Sequence, residues 1–308
     1  MLYSNTSMLS PHFRSILRGY QDFLQVEKGH RPLTINHKVK AVRTFVLRTG
    51  IDHITEIDYE TVKSFFYEQV KERNWSPHNQ RNYWTYLRCF IDWCLLNRKL
   101  QLRINPVNQI GKPKKPKTVP RRISKDQLNR LFAECCTFPW KYDIQRARNV
   151  AIFATFVYTG MRLNELINIR REDVSIDNRT ILIREGKGGK VRIVTICLEL
   201  KRFLADYELH LTRLKVSSEF YFCSVGGKKR LNNKDIYRMR DRLSEATGIR
   251  FCPHELRHTF ASMALEQKIP VASISKFLGH ESIVYTEGYL APEQKILLSH
   301  FDDFKRSA

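Results

Sequence analysis

The sequence predicts a mainly α fold with a small β-sheet (α+β), in a helical N-terminal domain and a larger C-terminal one. Three observations carry this. Apolar residues recur at three- and four-residue spacing over most of the 308 residues. A pair of short alternating segments, 180–184 and 191–196, flanks the Gly-rich turn EGKGGK and reads as a hairpin. Between the halves, GKPKKPKTVPRR (111–122) holds three prolines and six cations, which can neither form a helix nor line a core. The chain therefore divides as 1–110, a basic linker 111–122 and 123–308, each main part long enough for its own core.

In the first domain, Phe13, Ile16, Leu17, Tyr20 and Leu24 share one helix face, and further helices fit 34–48 and 59–73. Ser76 as N-cap and Pro77 at the first helical position open a fourth, running through Leu87, Phe90 and Ile91 to Asn97. In the second domain, Ser124 and Gln127 make a capping box at the head of a helix over 124–136. A strongly apolar helix through 150–158 is broken at Thr159-Gly160, and a short helix resumes over 163–169. After the hairpin, helices fit 198–214, 232–246, 254–267 and 271–278. Residues 292–304 form a last amphipathic segment with Ile296, Leu297 and Phe301 on one side.

Fifty-three Lys and Arg against 31 Asp and Glu give a net charge of +22, an excess that recruits polyanions, most commonly nucleic acid. Both halves share the surplus, as a clamp around one polyanion would. Lys38, Lys40, Arg43, Arg81 and Arg88 on the first domain's helices, with Lys114, Lys115 and Lys117 in the linker, are candidate phosphate contacts. Any one of them alone reads as a solvated surface cation; only their sum argues for DNA. Seven cysteines without a CxxC pair fit a reducing compartment better than a disulfide scaffold. No basic-then-apolar leader pattern opens the chain, and its apolar runs are too short to span a bilayer. A soluble cytoplasmic protein without a membrane partner is expected.

The chemistry concentrates in FCPHELRHTFASMALEQKIPVASISKFLGHESIVYTEGYL, residues 251–290. His254, Arg257 and His258 cluster there, followed by His280 and Tyr289, while Arg162 in TGMRLNEL has no obvious structural role. HELRH also satisfies H-E-x-x-H, the zinc-protease pattern. Against that reading, Pro253 puts His254 at a helix start, no HxxGxxH extension follows, and Arg162, Lys187 and the charge go unused. Phosphoryl transfer uses them all. Two guanidiniums can clamp the oxygens of a pentacoordinate phosphate. A phenol, with an ordinary pKa of about 10, attacks when a base or strong cations assist it. A lysine at a hairpin tip can protonate the leaving oxygen. Attack by the chain's own side chain conserves the bond as phosphotyrosine, so no metal, ATP or other cofactor is needed.

TGMRLNEL, GKGGKVR, HELRHTFA, LGH and a tyrosine nine residues after that histidine stand in one order and spacing. From about 123 to 290 the chain resembles the tyrosine recombinase (phage integrase) family, especially Xer-like and transposon integrases. The N-terminal part is similar to that family's core-binding domain in architecture only. The resemblance implies Arg162 and Arg257 as phosphate-clamping arginines, Lys187 as the acid for the 5′-oxygen, and His254 as the proton-transfer aid. It implies His280 as a phosphate hydrogen bonder and Tyr289 as the nucleophile. Tyr285 rivals Tyr289, and Lys190 rivals Lys187. Lys190 and Arg192 look like phosphate contacts on the hairpin, and Glu165 reads as an orienting partner of Arg162. The resemblance also implies a homotetramer on double-stranded DNA and a Holliday junction. Ile296, Leu297 and Phe301 suit either exchange of the last helix between subunits or packing on their own domain. An accessory DNA-bending protein is a candidate partner, and a nucleoid location is expected. The rival functions are a type IB topoisomerase, a DNA-binding regulator with an idle site and, remotely, a zinc metalloprotease.

Overall fold

In a computed structural model of the chain, the described residues are 9–98, 104–114, 122–184 and 191–279. They fall into two compact units that divide between Thr118 and Val119.

The first unit is helical. α1 (Pro11–Asp22) is capped by Ser10, whose Oγ accepts from the Phe13 N–H and donates to the Asp52 carbonyl at 2.7 Å. It runs into a π-helical turn, Phe23–Glu27. α2 (Pro32–Thr49) starts on a proline and stops at Gly50, in the left-handed region. α3 (Tyr59–Lys71) is capped by Asp58, which accepts from Thr61 N–H at 2.8 Å, and α4 (Pro77–Leu96) by Ser76. Their inward faces meet on a core of aliphatic and aromatic side chains that includes Phe13, Tyr20, Phe45, Phe65 and Phe90. One short helix here has no counterpart among the sequence-based expectations: α5 (Pro106–Ile110), whose Val107 carbonyl accepts from the buried Trp84 indole at 3.0 Å.

The second unit is organised on one helix. α6 (Lys125–Thr137) opens with the Ser124–Gln127 capping box. α7 (Asp143–Thr159) follows, with 13 of its 17 residues buried, so it is wrapped on every side rather than along one stripe. α8 (Leu163–Ile167) is a single short turn of helix. β1 (Val174–Ser175), β2 (Thr180–Ile183) and β3 (Arg192–Thr195) form an antiparallel sheet in that order. β1 has only two residues and leaves no alternation to read. α9 (Leu198–Arg213) and α11 (Pro253–Glu266) pack on α7, α10 (Asn233–Thr247) on α6, and α12 (Val271–Leu278) on α11.

The sheet's register fixes which side chains face inward. Ile181 pairs with Val194 and Ile183 with Arg192, and opposed residues share a face. Ile181, Ile183 and Val194 are buried, so Arg192 lies on the core side, while Val191 and Ile193 point outward, 63% and 41% exposed. Among the described residues, no helix is long and apolar enough to cross a membrane.

Candidate active site

Two helix ends meet at the site, and each needs a glycine. α7 terminates at Gly160 (φ 58°) and α12 at Gly279 (φ 67°), both in the left-handed region. At Gly160 the space is also closed: a β-carbon would lie 2.7 Å from the Phe260 ring and 2.9 Å from Leu278 Cδ2. Having no β-carbon there lets the end of α7, the flank of α11 and the tail of α12 come together. What they bring together is backbone carbonyls, the electron-rich ends of helices.

Arginines fill this carbonyl cluster. Arg257, buried on α11, donates through Nη1 to the Gly160 carbonyl at 2.8 Å and through Nη2 to the Leu278 carbonyl at 2.7 Å. Arg162, the residue that caps α8, donates through Nη2 to the Gly279 carbonyl at 3.0 Å and through Nη1 to Glu165 Oε1 at 2.8 Å. Neither guanidinium uses its Nε among the described residues, so both keep donors for an anion. Burial, and then the charge of Arg162, lower the pKa of Arg257 to about 10, which leaves it protonated at neutral pH.

Glu165 is the counter-charge, 5% exposed. Its Oε2 accepts from the Arg162 backbone N–H at 2.8 Å, and both its oxygens accept from Arg192, at 2.9 and 2.7 Å. Burial alone would raise its pKa. The hydrogen bonds and charge of Arg192, with those from Arg162, outweigh burial and hold the carboxyl at about 2. Three guanidiniums against one carboxylate leave two positive charges concentrated here. A phosphodiester in flight carries about two negative charges, so the site matches that charge.

His254 stands near the start of α11 on the same side. It is an exposed residue, yet desolvation of its ring, and then the charges of His258, Arg257 and Arg162, lower its pKa, so its imidazole is neutral at physiological pH. The His258 ring lies edge-on at 4.5 Å. Glu255, which a zinc protease would need as base, instead accepts from the Cys252 N–H at 2.9 Å and caps the helix. Among the described residues no third His, Cys, Asp or Glu joins the two histidines as a metal-binding group.

Arg162, Arg257 and His254 are thus brought together from residues 95 positions apart in sequence. Lys187, His280 and Tyr289, together with the rivals Lys190 and Tyr285, lie outside the described residues, as do Lys115 and Lys117. In the N-terminal unit Lys40 and Lys114 are exposed, while Lys38 and Arg43 are half-buried. Arg81 donates to the Pro113 carbonyl at 2.8 Å. Arg88 sits 5.4 Å over the Trp84 ring and pairs with Asp92 at 3.6 Å. Arg192, expected as a phosphate contact on the hairpin, has a side chain 12% exposed and bound to Glu165. The strand alternation held the signal, since a residue flanked by outward Val191 and Ile193 must face in.

Comparison with known proteins gives the same picture from outside. The family model described as "Phage integrase family" matches residues 121–295. Tyrosine recombinase XerC of Bacillus pumilus is 28% identical over 305 residues, covering 93% of this chain and 96% of its own. The XerH site-specific recombinase, solved bound to palindromic difH substrate as a post-cleavage complex, superposes with a TM-score of 0.68. It is 22% identical and covers 94% of this chain and 82% of its own. A lambda integrase tetramer bound to a Holliday junction gives a TM-score of 0.67 at 19% identity, over 89% of this chain and 76% of its own. At those identities the two structures speak for the fold.

Proposed function

The chain belongs to the phage integrase family, and we propose that it is a site-specific recombinase that cuts and rejoins duplex DNA through a covalent 3′-phosphotyrosine. The Tyr289 oxygen bonds to phosphorus, the bond to the 5′-oxygen breaks, and that oxygen takes a proton from Lys187. Arg162 and Arg257 face the non-bridging oxygens, with His280 as a further donor, and neutral His254 accepts the phenol's proton. In the second half of the reaction a 5′-hydroxyl from the partner strand attacks the phosphotyrosine and frees Tyr289. Bond energy is conserved, so the chemistry calls for neither ATP nor a metal. The observation that carries this reading is the pair of arginines hung on helix-end carbonyls, with two uncompensated positive charges where a phosphate would lie.

The 1–110 helices and the 111–122 linker would close on DNA through Lys38, Lys40, Arg43, Arg81, Arg88, Lys114, Lys115 and Lys117, with Lys190 at the hairpin. Four copies would act on two duplexes by way of a Holliday junction, as the lambda integrase tetramer is bound to one. The 292–304 segment would join neighbours: an open groove of about 610 Å³, lined by Leu128, Phe132, Val150, Tyr158, Phe203 and Met263, suits its apolar face. The protein would work on the nucleoid, in the cytoplasm, with a DNA-bending protein as its accessory.

The test is covalent trapping in EDTA on nicked duplexes taken from DNA flanking the protein's own gene. An adduct that resists denaturation, made by wild type and Tyr285→Phe but absent from Tyr289→Phe, is the expected result. Loss only in Tyr285→Phe would reassign the nucleophile. Tight, salt-sensitive binding without any adduct would favour a regulator with an idle site.

A further inference from the structure

We propose that Arg192 is a positioning residue for the arginine clamp: by occupying Glu165 it holds Arg162 toward the phosphate, and by binding the Phe277 carbonyl it fixes the end of α12. The inference rests on the reading of Arg162 as a phosphate contact.

All three nitrogens of the Arg192 guanidinium are engaged. Nη1 and Nη2 form a two-pronged pair with Glu165, and Nε donates to the Phe277 carbonyl at 3.1 Å. Three of its five N–H donors are thus taken, Nε among them, whereas Arg162 and Arg257 make no Nε bond among the described residues. Its position also touches Gly279, where an added β-carbon would meet its Nη1 at 3.3 Å. One side chain thus joins three separate parts of the chain: β3, the α8 carboxylate 27 residues upstream, and the tail of α12, 85 residues downstream.

The competition for Glu165 gives the side chain its purpose. Oε1 is shared by Arg162 Nη1 and Arg192 Nη1, and Oε2 by the Arg162 backbone N–H and Arg192 Nη2. Were Arg192 removed, Oε2 would offer Arg162 a second acceptor and the geometry for a two-pronged pair. Arg162 would then turn from Gly279 toward the carboxylate, and its cationic edge would leave the phosphate. The clamp thus depends on a third arginine that never meets the substrate.

The experiment compares two substrates on a duplex that the protein itself selects from a randomised pool, nicked near the cut site. One carries the natural phosphodiester; the other carries a methylphosphonate there, in which a methyl group replaces the charged non-bridging oxygen. Wild type, Arg162→Ala, Arg192→Met and Arg192→Lys are assayed for covalent adduct. On the phosphodiester, both Arg192 variants should slow adduct formation by roughly 10–100-fold, by analogy with the loss of a partner that orients a metal ligand. On the methylphosphonate, with no charge left to clamp, their deficit should shrink in parallel with that of Arg162→Ala. The salt dependence of DNA binding should match wild type.

An equal deficit on both substrates would overturn the proposal and leave Arg192 a structural residue. Wild-type rates for Arg192→Lys would also overturn it, because lysine cannot reproduce the planar fork. A salt slope lowered by about one would restore the phosphate-contact role instead. Should Arg192→Met fail to fold, the lysine variant carries the comparison alone. If Arg162→Ala itself shows no substrate-dependent deficit, the clamp reading falls first and the positioning role with it.

Discussion

Around the tail of α12, each arginine is bound by fixed acceptors: Gly160 and Leu278 for Arg257, Gly279 and Glu165 for Arg162, Glu165 and Phe277 for Arg192. On α2 and α4 of the N-terminal unit, the cations are exposed or half-buried on helix surfaces, with Arg81 on the Pro113 carbonyl and Arg88 held by a ring and an exposed carboxylate. The first arrangement costs desolvation and ordering but fixes each charge against two acceptors. The second costs little and lets charges track a backbone whose position varies. Chemistry at one phosphorus needs the former; holding a long polyanion needs the latter.

The severest test of this contrast is Arg257→Lys, which keeps the charge and removes the fork. Adduct formation should fall by roughly 10²–10³-fold, the cost of losing one preorganised donor to a developing charge, while DNA affinity changes little. A small catalytic effect would mean that charge alone suffices and that geometry is incidental.

Next in size is an acid effect on stability. Glu165 has its folded pKa depressed from 4.5 to about 2, so its contribution is present above the unfolded value and is lost as pH falls through the folded one. At pH 6 Glu165→Gln should be less stable in urea unfolding by about 3 kcal/mol, the free-energy equivalent of that depression. The gap should close between pH 4.5 and 2. A gap that persists at low pH would locate the stabilisation in packing rather than in charge.

Gly160→Ala should cost about 2 kcal/mol, combining a left-handed backbone with contacts that Phe260 and Leu278 must relieve. Because the Gly160 carbonyl holds Arg257, adduct formation should drop further than stability does. The smallest effects belong to the surface cations of α2. In Lys38→Ala and Arg43→Ala, the slope of log affinity against log salt should drop by about one for each phosphate no longer neutralised. An unchanged slope in both would remove those residues from the interface.

The sequence disclosed some of this and hid the rest for physical reasons. Helix starts were legible because capping is local: Ser76-Pro77 and Ser124–Gln127 carry their signal within four residues. α5 and β1 were not, since five- and two-residue elements complete no hydrophobic period. Arg162 and Arg257 stood out as charges in motif positions, and the structure places them side by side. Glu165 could be read as the partner of Arg162, but the carbonyl acceptors could not, because a backbone carbonyl has the same chemistry at every residue. The bond from Arg192 to Glu165 was not read, because a cation beside a Gly-rich turn resembles a surface group, whereas the register with Ile183 turns it inward.

The clamp's bonds reach far along the chain: Arg162 to Gly279 spans 117 positions, and Arg257 to Gly160 spans 97. A polypeptide still on the ribosome has not yet delivered the carbonyls of 277–279 when α7 and α8 are already outside the exit tunnel. Domains take shape as they emerge, N-terminal part first, so a half-made chain could already hold DNA without the means to cut it. Premature termination upstream of Leu278 would leave the same harmless product. Cleavage thus waits for the last part of the chain, which supplies both the carbonyls of Leu278 and Gly279 and, in the proposed mechanism, the nucleophile Tyr289.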